Sequence, residues 1–591
     1  MKDFLKYVFA TVVGIIVFTI VAGILGMMSL VGMIASGEAT KDVDENSVLV
    51  LNLSGTMEEQ AEDNIFAQYS GSLANTMGLQ ETLAAIQKAK DNEHVKGIYI
   101  EAGMFSADFA QIQELRDALL DFKKSGKWII AYGDIYTQGT YYLSSAADKV
   151  YLNPQGEIDW HGIGAQPMFV KDLLNKFGVK FQVVKVGKYK SATEMFTEEK
   201  MSDFNRHQTE VYINGLWNNI CQAVSESRKV SVAQLNAYAD SLITFANQQD
   251  LIKMKMVDGL LYHDQIKAEV KKLMKMEEDK DINQVSIADM QNVKEELDGK
   301  EIAVYYAYGD IVDSEDTGLM SGGGHQIVSG KTCKDLEKLM DDDDVKAVVI
   351  RVNSPGGSAF ASEQLWRQIT LLKAKKPVVV SMGGYAASGG YYMSCNANWI
   401  VAEPTTLTGS IGIYGMIPDF SQLVTQKLGV KFDEVKTNKH STFGTIARPM
   451  NAEEIAFLQK HINRGYTLFR KRVADGRKLT VEQVEEIAQG HVFLGQDAIK
   501  LKLVDQLGGL DVAIAKAAKL AKLDEYHTQN YPAQRDFVEQ LLEKAEKQSD
   551  TYLDERMRAT LGEYYEPFIL IKTINQQSAI QARMPFWMNV R

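Results

Sequence analysis

Only three cysteines, Cys221, Cys333 and Cys395, occur in 591 residues, far apart and with no C-x-x-C pair. That spacing excludes a disulfide framework and a cysteine zinc site, and leaves three small apolar side chains as the simpler reading. Positive charge is also short: the net charge is -13 at pH 7, and no basic patch dominates. A nucleic-acid partner is therefore not expected. The nine histidines are scattered without a pattern. Long apolar runs are missing everywhere except near the N-terminus, so most of the chain reads as soluble. What remains is a length too great for one core, which predicts two or more domains.

The exception is residues 7–37, a stretch without a single charge. It exceeds the roughly 20 residues that cross a bilayer and is too long for the apolar region of a cleaved secretory signal. We read residues 1–40 as a cytoplasmic start and one uncleaved transmembrane helix. Lys2 and Lys6 precede the run, whereas Glu38, Asp42, Asp44 and Glu45 follow it. The positive-inside rule then puts the N-terminus in the cytoplasm and the rest of the chain outside.

An internal repeat organises that remainder. DNEHVKGIYIEA (91–102) matches DDDDVKAVVIRV (341–352), and GTYYLSSAADKVYLNP (139–154) matches GGYYMSCNANWIVAEP (389–404), both at an offset of about 250 residues. GVKFQVVKVGKYKSA from Gly178 lines up in the same way with GVKFDEVKTNKHSTF from Gly429. Each copy alternates short β-branched or aromatic runs (KAVVIRV, KPVVVSM, WIVAEP, GVKFDEV) with helical patterns such as FASEQLWRQITLLKAKK. Fully apolar strands separated by amphipathic helices predict an α/β fold with a parallel or mixed sheet covered by helices. The expected domains are 41–295, 296–530 and a C-terminal extension, 531–591, that matches neither copy. The charged segment 271–300 reads as a linker or bridging helix.

The two copies differ where chemistry would sit. The second contains RVNSPGGSAFASE (351–363) directly after a strand, where Pro355, Gly356 and Gly357 make a turn whose backbone N–H groups can face a substrate carbonyl. It also contains a serine, Ser388, among small residues at the start of a helical stretch, where the helix N-terminus favours negative charge. In the first copy the turn is absent and Gln138 stands in the serine's place, but Lys190, in VGKYKSATEMF, aligns with Ser441. One copy has kept a serine and the other a lysine. A lysine can act as a base if burial or neighbouring positive charge keeps its amine neutral, and Lys185 and Lys188 are close enough in sequence to supply such charge.

With its N-terminal anchor, its two copies, YKSATEMF in the first and VNSPGGS, MGGYAASGGYYMS and TLTGSIGIYG in the second, the chain resembles the long form of the signal peptide peptidase A family. That is peptidase family S49 of the ClpP/crotonase superfamily, also called protease IV. The resemblance implies a tandem ClpP/crotonase-like fold preceded by one transmembrane helix. It implies a serine endopeptidase with Ser388 as nucleophile, Lys190 as general base and Ser410 hydrogen-bonded to the lysine. The N–H groups of Gly357 and Gly389 would form the oxyanion hole, and no metal or organic cofactor would be needed. It further implies a homotetramer on the periplasmic face of the inner membrane that degrades cleaved signal peptides and other apolar peptides at the lipid bilayer. Three other readings stay open at this level: a crotonase-like acyl-CoA enzyme, a non-catalytic membrane scaffold, and a Ser-His-Asp peptidase using His440 or His325.

Overall fold

Valine and isoleucine fill the strand Val345–Ser354, which is buried on both faces for nearly its whole length. Such a strand needs cover on two sides, and the chain provides it with a parallel sheet between helices. The computed structural model describes residues 42–61, 76–294, 298–314, 325–532 and 580–584, with Gly14, Phe18, Thr19 and Val21 from the N-terminal run. The remainder of the expected anchor lies outside the described residues. Among those described, no helix is long and apolar enough to cross a membrane.

Two large sheets correspond to the two halves of the repeat. The first runs in space Thr76–Gly78, Ser47–Glu58, Val95–Ser106, Trp128–Tyr136, Lys149–Ile158 and Gly259–Leu260, all parallel, with Asn283–Val285 also beside Ser47–Glu58. The second runs Val492–Leu494, Leu407–Gly409, Val378–Ala387, Val345–Ser354, Lys300–Tyr308 and Tyr526–Tyr531, parallel except for its first pair. The duplication persists in detail. Helices Asp203–Arg228 and Ala452–Arg477 are each 26 residues long, each starts at a side-chain N-cap (Ser202, Asn451), and each ends at a left-handed lysine, Lys229 or Lys478. Mixed α/β architecture with a tandem repeat is thus what the sequence patterns implied.

A third sheet stitches the halves together. Lys180–Lys185 of the first half pairs antiparallel with Tyr414–Asp419 of the second. The same sheet continues through Ile580–Arg583, Gly356–Ser358, Asp310–Val312 and Gln326–Val328. Beneath it lies a buried ionic lock. The Arg351 guanidinium, 1% exposed, donates from Nε to Glu59 and from Nη2 to Glu114, each at 2.7 Å, and from Nη1 to Ser381 Oγ at 3.0 Å. Asn353 Nδ2 donates to Glu59 at 2.8 Å and to Asp108 at 3.1 Å. Burial works against the Arg351 charge, but Glu114 and Glu59 more than offset it and hold it protonated. Both carboxylates belong to the first half and the arginine to the second, so the register of one sheet against the other is fixed by charge as well as by packing.

Two local expectations differ. Segment 271–300 is not one bridging helix: the helix His263–Met274 ends at a left-handed Lys275, and Asn283–Val285 then adds a strand to the first sheet before a short helix, Ile287–Gln291. Buried Val285 and Met290 tie it to the first core. The run GVKFDEV (429–435), read as a strand, is irregular, and among the described residues no strand pairs with it.

Candidate active site

Strand Val378–Ala387 ends at Ser388, and the short helix Gly389–Ser394 begins at once. The turn between them forces Ser388 to φ 53°, ψ -109°, a conformation L-residues avoid. Its N–H donates to the Gly409 carbonyl at 2.8 Å, which fixes it beside the end of strand Leu407–Gly409. The next residue on that strand's path, Ser410, is also at positive φ (51°), and its N–H donates to the His491 carbonyl at 2.7 Å. Two strained serines are thereby presented side by side.

Lys190 comes from the other half of the chain. It follows strand Lys180–Lys185 in an irregular loop, and its side chain is wholly buried. Nζ donates to Ser388 Oγ at 2.8 Å, to Ser410 Oγ at 3.0 Å and to the Ser410 carbonyl at 3.3 Å. The loop is packed so closely that a Cβ on Gly490, itself at φ 81°, would stand 2.7 Å from the Lys190 nitrogen. Burial holds the Lys190 amine well below the ordinary lysine range. The sequence reading allowed for help from Lys185 and Lys188; desolvation is the only cause found, and Lys188 instead lies over the Phe204 ring at 5.6 Å.

A hydrogen-bonded frame that sequence reasoning missed holds this loop. Ser191 Oγ donates to Asn205 Oδ1 at 2.9 Å, Asn205 Nδ2 to Glu194 at 3.0 Å, and Ser202 Oγ to Glu194 at 2.7 Å. Gln208 Nε2 donates to the Tyr189 carbonyl and to Ser191 Oγ, both at 3.1 Å. Tyr189 stacks on His491 with centroids 4.1 Å apart, and burial pushes that imidazole down to about 4, so it adds no charge beside the lysine. The signal available in sequence was the polar cluster S-x-x-E-x-x-x-x-x-x-x-S-x-x-N itself, whose partners lie one helix away.

The remaining candidates converge on the same point. Gly357 lies in strand Gly356–Ser358, and a Cβ on its neighbour Gly356 would come 2.8 Å from the Gly389 nitrogen. The S-P-G-G turn and the start of the helix are therefore adjacent. The two histidines weighed as bases are elsewhere: His440 lies 3.7 Å from Glu454 and 3.8 Å from Glu453, His325 packs on Tyr308 at 4.2 Å, and Ser388 Oγ has Lys190 as its hydrogen-bond partner. Among the described residues no group of three or more His, Cys, Asp or Glu is placed to hold a metal ion.

The corresponding place in the first half is filled. Gln138 is buried, donates to the Gly162 carbonyl at 3.0 Å and accepts from the N–H groups of His161 and Gly162 at 3.0 and 2.7 Å. Trp160, which aligns with Ser410, packs fully buried against Tyr141 and Trp217. Ser441, the counterpart of Lys190, is exposed and bonds only within its own turn. Among the described residues the Ser–Lys–Ser constellation occurs once, not twice.

Known proteins similar to this chain bear on its family. The family profile described as Peptidase family S49 matches residues 121–277 and 370–524. Protease 4 of Salmonella typhi is 35% identical over 563 residues, covering 92% of this chain and 89% of the relative. Protease 4 of Haemophilus influenzae is 34% identical over 84% of this chain and 83% of its own length. Serine protease SPPA, chloroplastic, of Arabidopsis thaliana is 31% identical over 81% and 70%. A solved ClpP1 variant from Listeria monocytogenes aligns with 36% of this chain at 16% identity and a TM-score of 0.24, too slight a likeness to bear on the fold.

Proposed function

The chain belongs to peptidase family S49, and we propose that it is a serine endopeptidase in which Ser388 is the nucleophile and Lys190 the general base. The observation that carries the reading is the 2.8 Å contact between a wholly buried amine and the hydroxyl of a strained serine. Kept neutral by desolvation, the amine accepts the Ser388 proton as Oγ attacks a peptide carbonyl, then returns it to the leaving amine; water resolves the acyl-enzyme. Ser410 holds Nζ in line, and the N–H groups of Gly357 and Gly389 stabilise the oxyanion. The test is mass spectrometry after reaction with a slowly deacylating peptide ester: an adduct on Ser388 is expected, and an adduct elsewhere sinks the assignment.

The pH profile follows from the sign of the lysine shift. Activity requires the neutral amine, so kcat/KM should rise with pH and level off well below the ordinary lysine value of about 10.4. A rise centred on that ordinary value would contradict a desolvated base. Ser410→Ala removes one of the groups holding Nζ, and kcat should fall about tenfold with little change in KM, the equivalent of one modest hydrogen bond.

Membrane anchoring through residues 7–37 and the degradation of cleaved signal peptides belong to the same proposal, supported by the uncharged N-terminal run. So does a homotetramer. Strand Lys180–Lys185 pairs with Tyr414–Asp419 across the halves, but among the described residues no strand pairs with the repeat equivalents, residues 431–436 and 164–169. They expose Phe432, Val435 and Met168. A second copy pairing head to tail would satisfy both edges at once, and such a heterologous contact gives a ring when its rotation closes.

A further inference from the structure

The strand Ile580–Arg583 lies antiparallel between Gly356–Ser358 on one side and Tyr414–Asp419 on the other. Gly356 stands opposite Arg583, Gly357 opposite Ala582 and Ser358 opposite Gln581. The Met584 N–H donates to the Pro355 carbonyl at 2.7 Å. Bonded pairs alternate along an antiparallel ladder, so the next bonded pair is Gly357 with Ala582, and the Gly357 N–H faces the Ala582 carbonyl. The same oxygen packs on Gly389 and on Gly356, the neighbour of Gly357: a Cβ on Gly356 would overlap it, and one on Gly389 would stand 3.0 Å away. The chain's own C-terminal region therefore runs through the slot where the mechanism needs a peptide, with a carbonyl where the oxyanion would form.

The side chains of this segment are each received differently. Ala582, a small side chain, is wholly buried. Met584 is buried among Tyr212, Leu216, Ala387, Leu407, Val492 and Leu494. Arg583 Nη2 lies 3.0 Å from both carboxylate oxygens of Asp310. Asp310 sits on the strand Asp310–Val312 that flanks Gly356–Ser358, and its environment is mostly desolvated, so a cation opposite it replaces lost hydration.

We propose that residues 580–584 are docked as a tethered peptide in the catalytic cleft and report its specificity: a small side chain on the acyl side of the scissile bond, and a basic one immediately after it, selected by Asp310. This rests on the Ser388/Lys190 reading. In a peptide so bound, Oγ of Ser388 attacks the carbonyl of the small residue and the C–N bond to the basic residue breaks. The serine proton passes through Lys190 to the departing α-amine, and water then cleaves the ester. Asp310 touches neither breaking bond; it is a specificity residue.

The test uses the full chain and three internally quenched peptides containing Ile-Gln-Ala-Arg-Met, with Arg kept, changed to Gln, or changed to Glu. Wild type should favour Arg over Gln in kcat/KM by about tenfold, the scale of one charge-assisted pair, and over Glu by more. Asp310→Asn should lose the preference while still cutting the Gln peptide, and Asp310→Lys should favour Glu. Arg583→Glu, which loosens the tethered segment, should lower KM for the Arg peptide with kcat unchanged. Equal cleavage of all three peptides by wild type, or a preference that survives in Asp310→Asn, overturns the proposal. If wild type cuts none of them and no adduct forms on Ser388, it is the serine-peptidase reading that fails instead.

Discussion

Alanine at either Ser388 or Lys190 is expected to lower kcat/KM for peptide hydrolysis by at least ~10³-fold, and the double variant should be no worse than the weaker single. The non-additivity follows from the geometry. The lysine acts only through the hydroxyl 2.8 Å from its Nζ, and without that hydroxyl there is no proton for it to take. Lys190→Arg is expected to be as inactive as Lys190→Ala, because a guanidinium stays protonated even when buried. Steady-state kinetics on folded, monodisperse variants checks all four. Retention of activity in Lys190→Ala with loss in Ser388→Ala would identify another base, and full activity in both would leave the site without a role.

The second large effect concerns stability. Arg351→Met removes the cation that serves both Glu59 and Glu114 and should cost about 3–5 kcal/mol, the usual result of stranding buried charge. Denaturant unfolding measures it, with the midpoint falling while the slope is kept. The deficit has a predictable pH dependence. Burial already raises Glu114, and loss of the guanidinium raises it further above its unfolded value. A carboxylate raised in this way favours the folded state at low pH and loses that contribution as pH rises, so the gap between variant and wild type should narrow on acidification. A deficit independent of pH would mean that packing, not charge, explains the loss.

The repeat, the alternation of strands with helices and the pairing of Ser388 with an upstream lysine were legible because each rests on local pattern or on a family resemblance. KAVVIRV announces a strand covered on both faces, and Val345–Ser354 is one. What stayed hidden depends on contacts between distant segments. Arg351 meets Glu59 across 292 positions, and nothing in either neighbourhood names the other. The frame of Asn205, Gln208 and Glu194 around the lysine loop is invisible for the same reason. GVKFQVV in the first copy and GVKFDEV in the second both carry a strand's composition, yet among the described residues only the first is paired. Segment 531–591 matched neither repeat, so no periodicity could place residues 580–584 beside Gly357.

The distance between the two halves of the site has a further consequence, one that concerns time. Lys190 and Ser388 are separated by 198 positions. At a synthesis rate of about 5–20 residues per second the serine follows the lysine by roughly 10–40 s, and the nascent chain meanwhile holds at most half of a catalytic pair. The first half has Gln138 and Trp160 at the positions equivalent to Ser388 and Ser410, and the second half has Ser441 at the position equivalent to Lys190. On the proposed Ser388/Lys190 assignment, a ribosome-bound chain that ends before Ser388 is chemically silent, and hydrolytic capacity arrives only when both halves are made and paired through strands 180–185 and 414–419.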